Sequence, residues 1–100
     1  MITIKLTTSF PEWPLERQTP HRSGIWGPCR FFINQPVPSC DYWVVYDALP
    51  VEETTMCPPE NTIFITAEPP AVRTYRNAFV RQFAAVITAH RSVRHPRCVF

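Results

Sequence analysis

Thr62-Ile-Phe-Ile-Thr-Ala-Glu-Pro-Pro-Ala-Val-Arg-Thr-Tyr-Arg-Asn-Ala-Phe-Val-Arg-Gln-Phe-Ala-Ala-Val-Ile-Thr-Ala89 decides the fold. It opens and closes on continuous apolar runs, residues 62–67 and 85–89, each short enough for a strand. Such runs suit strands covered on both faces, as in a parallel sheet. Between them Val72, Tyr75, Phe79, Phe83 and Val86 recur at helical spacing, with Arg73, Arg76, Asn77, Arg81 and Gln82 on the remaining positions. That pattern predicts an amphipathic helix over 72–83, with Pro70 at or just before its start. Strand, helix and strand then form a β-α-β unit, a connection that makes its two strands parallel.

The same reading extends towards the N-terminus. Tyr42-Trp-Val-Val-Tyr46, bounded by Asp41 and Asp47, predicts a third strand of the same kind. Ile2, Ile4 and Leu6 alternate with Thr3, Lys5 and Thr7, the period of a half-buried strand near a sheet edge. Residues 30–33 predict a short strand ended by Asn34 and Pro36. Residues 8–28 hold Pro11, Pro14, Pro20, Pro28 and both glycines, and predict a loop with one helical turn, pinned by Trp13 and Trp26. The expected fold is α/β: an open, mostly parallel Rossmann-like sheet in a single domain over residues 1–100, with no repeat and no dividing linker.

Composition narrows the function. With 100 residues and 45% hydrophobic content, the chain supplies one modest core. Two glycines against twelve prolines leave no G-x-G-x-x-G or G-x-x-x-x-G-K, so a self-contained nucleotide-binding domain is not expected. No apolar run reaches the about 18 residues of a spanning helix, and the alternating N-terminus is not a signal peptide. The expectation is a chain without a transmembrane segment, cytoplasmic or peripheral at a membrane. Residues 1–70 hold four basic residues against all eight acids, whereas residues 71–100 hold six arginines and no acid. A basic end suits a phosphate-bearing ligand, nucleic acid or a neighbouring domain. Cys29, Cys40, Cys57 and Cys98 have no C-x-x-C spacing, and are expected as reduced thiols. One disulfide stays open, and spacing does not say which pair would form it.

In open α/β sheets ligands bind beyond the carboxyl ends of the strands. Asp47, Glu68 and His90 follow the three apolar runs and fall on that edge. Glu68 is held between a strand end and the stiff Pro69-Pro70 pair, as a general base requires. Its other reading is a partner for the helix N-terminus or for Arg73. Asp47 also reads as a strand-end turn former, and His90 as an acid, a phosphate donor or a surface histidine. His95 and Cys98 have H-x-x-C spacing but no matching second pair, so no metal site is expected. Arg91, Arg94 and Arg97 read as a basic surface loop or as an anion site.

Taken in order, the segment Asp41 to Asp47, Cys57-Pro-Pro-Glu-Asn-Thr-Ile-Phe-Ile-Thr-Ala-Glu-Pro-Pro70, then Tyr75, Phe79, Gln82-Phe83, Val86-Ile-Thr-Ala-His90 and His95-Pro96 resembles the N-terminal domain of glycosyltransferase family 10. These are the α-1,3/4-fucosyltransferases, here in their bacterial form. The resemblance covers residues 40–97, and residues 1–39 follow only in layout. It implies one half of a two-domain GT-B-type architecture, the acceptor-side domain of an inverting transferase. The donor-binding C-terminal domain is then absent from this chain, and GDP-fucose is the donor implied for the complete enzyme. No cofactor is expected in the chain itself. The family's strand-end glutamate falls on Glu68, as catalytic base. Asp47, Arg73, Tyr75 and His90 become acceptor-side candidates towards a glycan. Alone, the chain is expected to be inactive as a transferase. The alternatives are an inactive remnant or a small basic module that binds nucleic acid or protein, with nucleic acid the less expected partner.

Overall fold

The computed structural model describes residues 1–10, 12–67 and 75–100. Seven strands follow in order: β1 Ile2–Thr8, β2 Ile25–Trp26, β3 Cys29–Ile33, β4 Tyr42–Tyr46, β5 Thr62–Ile65, β6 Ala85–Ile87 and β7 Cys98–Val99. They form one sheet in the order β2-β3-β1-β4-β5-β6-β7. Every pairing is parallel except β2 with β3. This is an α/β fold with a mostly parallel, generically Rossmann-like sheet and few helices. β2 and β7 are strands that the sequence pattern does not reveal, because two residues carry no readable period.

The core grows from the β-α-β unit. Val45, Phe64 and Val86 stand in register on β4, β5 and β6, and all three are fully buried. Three aromatic rings close over Phe64. Tyr75 and Phe79 meet it edge-on at 5.1 Å, and Phe83 stacks on it at 5.2 Å. Such offset and edge-on pairs add to the burial of apolar area.

The helix predicted over 72–83 is corrected here. Residues 72–74 lie outside the described residues, and the α-helix among the rest, α1, is a single turn, Asn77–Val80. Arg76 before it is extended and makes no side-chain cap, so the turn cannot continue backwards through Tyr75. A helix this short gains little from its own hydrogen bonds. Its aromatic side chains are instead placed by their contacts with Phe64. The helical spacing therefore recorded a shared packing target rather than a long helix.

The first strand differs from expectation in two ways. β1 lies inside the sheet, between β3 and β4, and not near an edge. Its polar face is the protected one: Lys5 and Thr7 are buried, while on the other face Ile2 is exposed and Ile4 and Leu6 are half-buried. Lys5 is 1% exposed. Its ammonium group donates to the Gln35 carbonyl at 2.8 Å, pairs with Glu53 at 2.9 Å, and lies 5.5 Å from the Trp43 ring centroid. A buried charge is tolerable only when partnered in this way.

The expectation of strands covered on both faces holds for one face only. Opposite the core, Val44, Ile63, Ile65 and Ala85 are half-buried and Ile87 is 43% exposed. Near β1 and β3, that opposite face is met by Leu15 of a 3-10 turn, beside Leu6, Phe31 and Ile33. Trp13 and Trp26 are both exposed, yet Trp13 stacks at 4.2 Å on Phe10, whose ring lies 6.1 Å from that of Tyr46 on β4, and Trp26 pairs with Cys29 of β3. The long loop is also anchored by Thr19, whose hydroxyl donates to the Glu16 carbonyl at 2.6 Å and accepts from the Gly24 N–H at 2.9 Å. Gly24 has φ +76°, its carbonyl accepts from the Phe31 N–H of β3 at 2.7 Å, and a side chain there would crowd the Phe31 carbonyl.

Candidate functional site

The strand order changes direction at β1: the chain goes first to β3 on one side, then to β4 on the other. The carboxyl ends of β1 and its neighbours therefore form the crevice in which open α/β sheets receive ligands. Two residues with left-handed backbone bracket it, Asn34 (φ +52°) after β3 and Asp47 (φ +75°) after β4. Both turn their side chains back onto the end of β1. Asn34 Oδ1 accepts from the Thr8 N–H at 2.9 Å, and Asp47 Oδ2 accepts from the Ser9 hydroxyl. Non-glycine residues tolerate this conformation only where the surroundings hold them, as they do here.

Between these brackets lies a pocket of about 430 Å³, lined by Thr7, Thr8, Asn34, Gln35, Val51 and Glu53, among others. Its polar groups are hydroxyls and amides, and its one carboxylate, Glu53, is paired with Lys5. Sequence reading missed this side of the site. The available signal was that the chain's only lysine sits in the middle of a strand pattern.

Further along the same edge, the sequence candidates Asp47, Tyr75 and His90 are brought together. Asp47 is 2% exposed and His90 is 1% exposed. The Tyr75 hydroxyl donates to Asp47 Oδ1 at 2.7 Å and accepts from the Ala67 N–H at 3.3 Å. The Tyr75 ring lies 5.3 Å from the His90 ring, tilted by 54°. His90 donates its N–H to Thr88 Oγ1 at 2.8 Å, and Thr88 accepts from the Thr66 hydroxyl at 2.9 Å. One phenol thus ties β4, through Asp47, to Ala67, two residues past β5. Ala67 and Tyr75 flank residues 68–74, so the same oxygen joins the two ends of that segment. Glu68 and Arg73, the other two site residues expected from sequence, lie outside the described residues.

The basic residues gather elsewhere. Arg81, Phe83, Ala84, Arg94, His95 and Pro96 line a pocket of about 480 Å³, where the chain enters β6, at the opposite edge from the crevice. His95 Nδ1 accepts from the Arg97 N–H at 2.9 Å, so its Nε2 carries the proton directed to the Phe83 carbonyl at 2.6 Å. Arg91 instead covers the Phe100 ring at 4.6 Å. Arg81, Arg91, Arg94 and Arg97 are all exposed. Among the described residues, no three His, Cys, Asp or Glu side chains are placed to hold a metal ion, and no helix is long and apolar enough to cross a membrane.

Among the described residues, Asp41 and Cys57 show displaced acidities, where the chain approaches β4 and β5. Asp41 accepts from the Thr3 N–H at 2.8 Å and from its hydroxyl at 3.0 Å, which hold its carboxyl below the usual 3.8. Burial, and then the neighbouring Cys40 thiol, push the Cys57 thiol up to about 11. No protein-family model, curated protein or solved structure matches the chain.

Proposed function

We propose that this chain is the acceptor-side half of an inverting, fucosyltransferase-like glycosyltransferase, one lobe of a GT-B-type pair, with Glu68 as its general base. The observation that carries the reading is the Tyr75 bridge. It ties Ala67 and Asp47 together at the carboxyl edge of a parallel sheet, where this fold class places its ligands. In the sequence the stiff Pro69-Pro70 pair follows Glu68 and limits its backbone freedom, as proton abstraction needs. In the proposed reaction Glu68 takes the proton of a glycan hydroxyl. The freed oxygen attacks the anomeric carbon of GDP-fucose, and the bond to the nucleoside diphosphate breaks on the opposite face. Asp47, Arg73, Tyr75 and His90 line the acceptor side. A second domain, outside these residues, holds the donor.

The test uses the chain joined to a donor domain. Glu68→Gln should reduce transfer by roughly 10²–10⁴-fold, the usual contribution of a general base, while GDP-fucose binding is unchanged. Unchanged turnover would falsify the assignment.

The second reading, a basic module for nucleic acid or a protein partner, draws on the exposed arginines around the Arg81–Arg94 pocket. It requires affinity for single-stranded or duplex nucleic acid that falls steeply with salt. Absence of binding at low salt removes the nucleic-acid form of it.

A further inference from the structure

We propose that Cys40 and Cys57 are a redox modification site, a thiol pair that a small-molecule disulfide such as oxidised glutathione converts to an intrachain disulfide. The four cysteines allow several pairings, and the fold selects one. Ser39 and Met56 form an isolated parallel bridge, with the Cys40 N–H donating to the Met56 carbonyl at 3.0 Å and the Met56 N–H to Pro38 at 3.1 Å. Cys40 and Cys57 are the next residue on each side of that bridge, so their side chains leave on the same face. Adjacent bridged chains run about 4.8 Å apart, within the roughly 4.4–6.8 Å between Cα atoms that a disulfide spans. The Cys40 thiol is near enough to Cys57 to help raise its acidity constant. Cys57 Sγ also lies against two backbone carbonyls, Pro58 at 3.5 Å and Asp41 at 3.8 Å.

The remaining thiols have no such neighbour. Cys29 on β3 and Cys98 on β7 are separated by β1, β4, β5 and β6, about 24 Å at one strand spacing each. Cys29 is kept from Cys40 by β1, and Cys98 from Cys57 by β6. Each of these gaps exceeds the span of a disulfide.

The chemistry balances as two exchanges. Cys57, half-buried where Cys40 is buried, attacks one sulfur of glutathione disulfide as the thiolate and releases one glutathione. Cys40 then attacks the Cys57 sulfur of the mixed disulfide and releases the second. The protein thiols lose two electrons and two protons, and the glutathione disulfide gains both. The raised acidity constant of Cys57 makes the first attack slow at neutral pH. It also means that the reduced pair gains no stability from a thiolate, so the disulfide, once made, resists reduction. The bond would fasten the entry to β4 to the entry to β5, at the edge away from the crevice. It closes the loop that carries Glu53.

The experiment incubates the folded chain with oxidised glutathione, blocks remaining thiols with an alkylating agent, and maps the product without reduction. No Lys or Arg lies between Arg30 and Arg73, so trypsin leaves both cysteines in one peptide, and cleavage after Met56 divides them. The expected result is that two of the four thiols escape alkylation, the peptide is lighter by about 2 Da, and its two halves separate only on reduction. The oxidation should quicken by roughly 100-fold between pH 7 and pH 9, as the thiolate fraction of Cys57 grows tenfold per pH unit. Cys40→Ser should leave Cys57 as a mixed disulfide with glutathione. Any other pairing, mixed disulfides alone in the unaltered chain, or four alkylated thiols after oxidation would overturn the proposal.

Discussion

The two halves of the sheet are held together by opposite means. On the β4-β5-β6 side, Phe64 is enclosed by Tyr75, Phe79 and Phe83, and the contacts are apolar. On the β1-β3 side the same face of the sheet carries Lys5, which is held by Glu53, a carbonyl and the Trp43 ring. Apolar packing tolerates no missing volume, because a cavity loses both transfer energy and contacts. A buried ion pair tolerates removal of both charges better than removal of one. The first half should therefore respond to size, and the second to charge.

The largest effect should follow from emptying the aromatic nest. Phe64→Ala is expected to cost roughly 3–5 kcal/mol, read as a fall in the urea midpoint. If it costs no more than the charge variants below, the contrast between the halves is wrong. Next comes Glu53→Gln, which leaves the Lys5 ammonium buried without its counter-ion. A fully enclosed pair broken this way loses about 3–5 kcal/mol, and the partial exposure of Glu53 reduces this to about 2 kcal/mol. Changing both residues, Lys5→Met with Glu53→Gln, removes both charges and should fall within about 1 kcal/mol of the parent. The reverse order, with the double change the more damaging, would mean that the lysine's hydrogen bond rather than its charge balance holds β1.

Tyr75→Phe sharpens the comparison where the halves meet the candidate site. It keeps the ring on Phe64 and removes only the oxygen shared by Asp47 and Ala67. A cost of about 1–2 kcal/mol is expected, with faster amide exchange at Ala67 as the specific sign. Unchanged exchange would show that the bridge does not restrain the segment it spans.

The smallest effect lies at the amino edge and depends on pH. The folded-state acidity constant of Asp41 is held below 3.8 by its two bonds from Thr3. Its contribution is complete above that value and is lost as pH falls through the lower, folded one. Asp41→Asn should therefore flatten the acid limb of stability below about pH 4 and leave the neutral region nearly unaltered. A parallel loss at all pH values would argue against the ionised form as the source.

The strands at 42–46, 62–65 and 85–87 were legible because their apolar runs have the length and boundaries of buried parallel strands. Asp47 and His90 were legible as strand-end residues for the same reason. The helix was legible only as a face. Tyr75, Phe79 and Phe83 do converge, but on Phe64 through a single turn. Lys5 was not legible. In an alternating strand a lysine normally marks the solvent side, and nothing local signals that Glu53, far along the chain, will arrive to neutralise it.

The sequence by itself determined an α/β chain with parallel strands, an aromatic core, and a carboxyl edge bearing Asp47 and His90. Those features arise from local periodicity and chain direction, which neighbouring residues encode. Only the tertiary structure decided that β1 runs inside the sheet with its charged face inward, that one phenol joins Asp47 to Ala67, and that Cys40 stands beside Cys57. Each of these depends on which distant strand lies alongside. That choice is made by the free energy of the whole assembled core and not by any window of the chain.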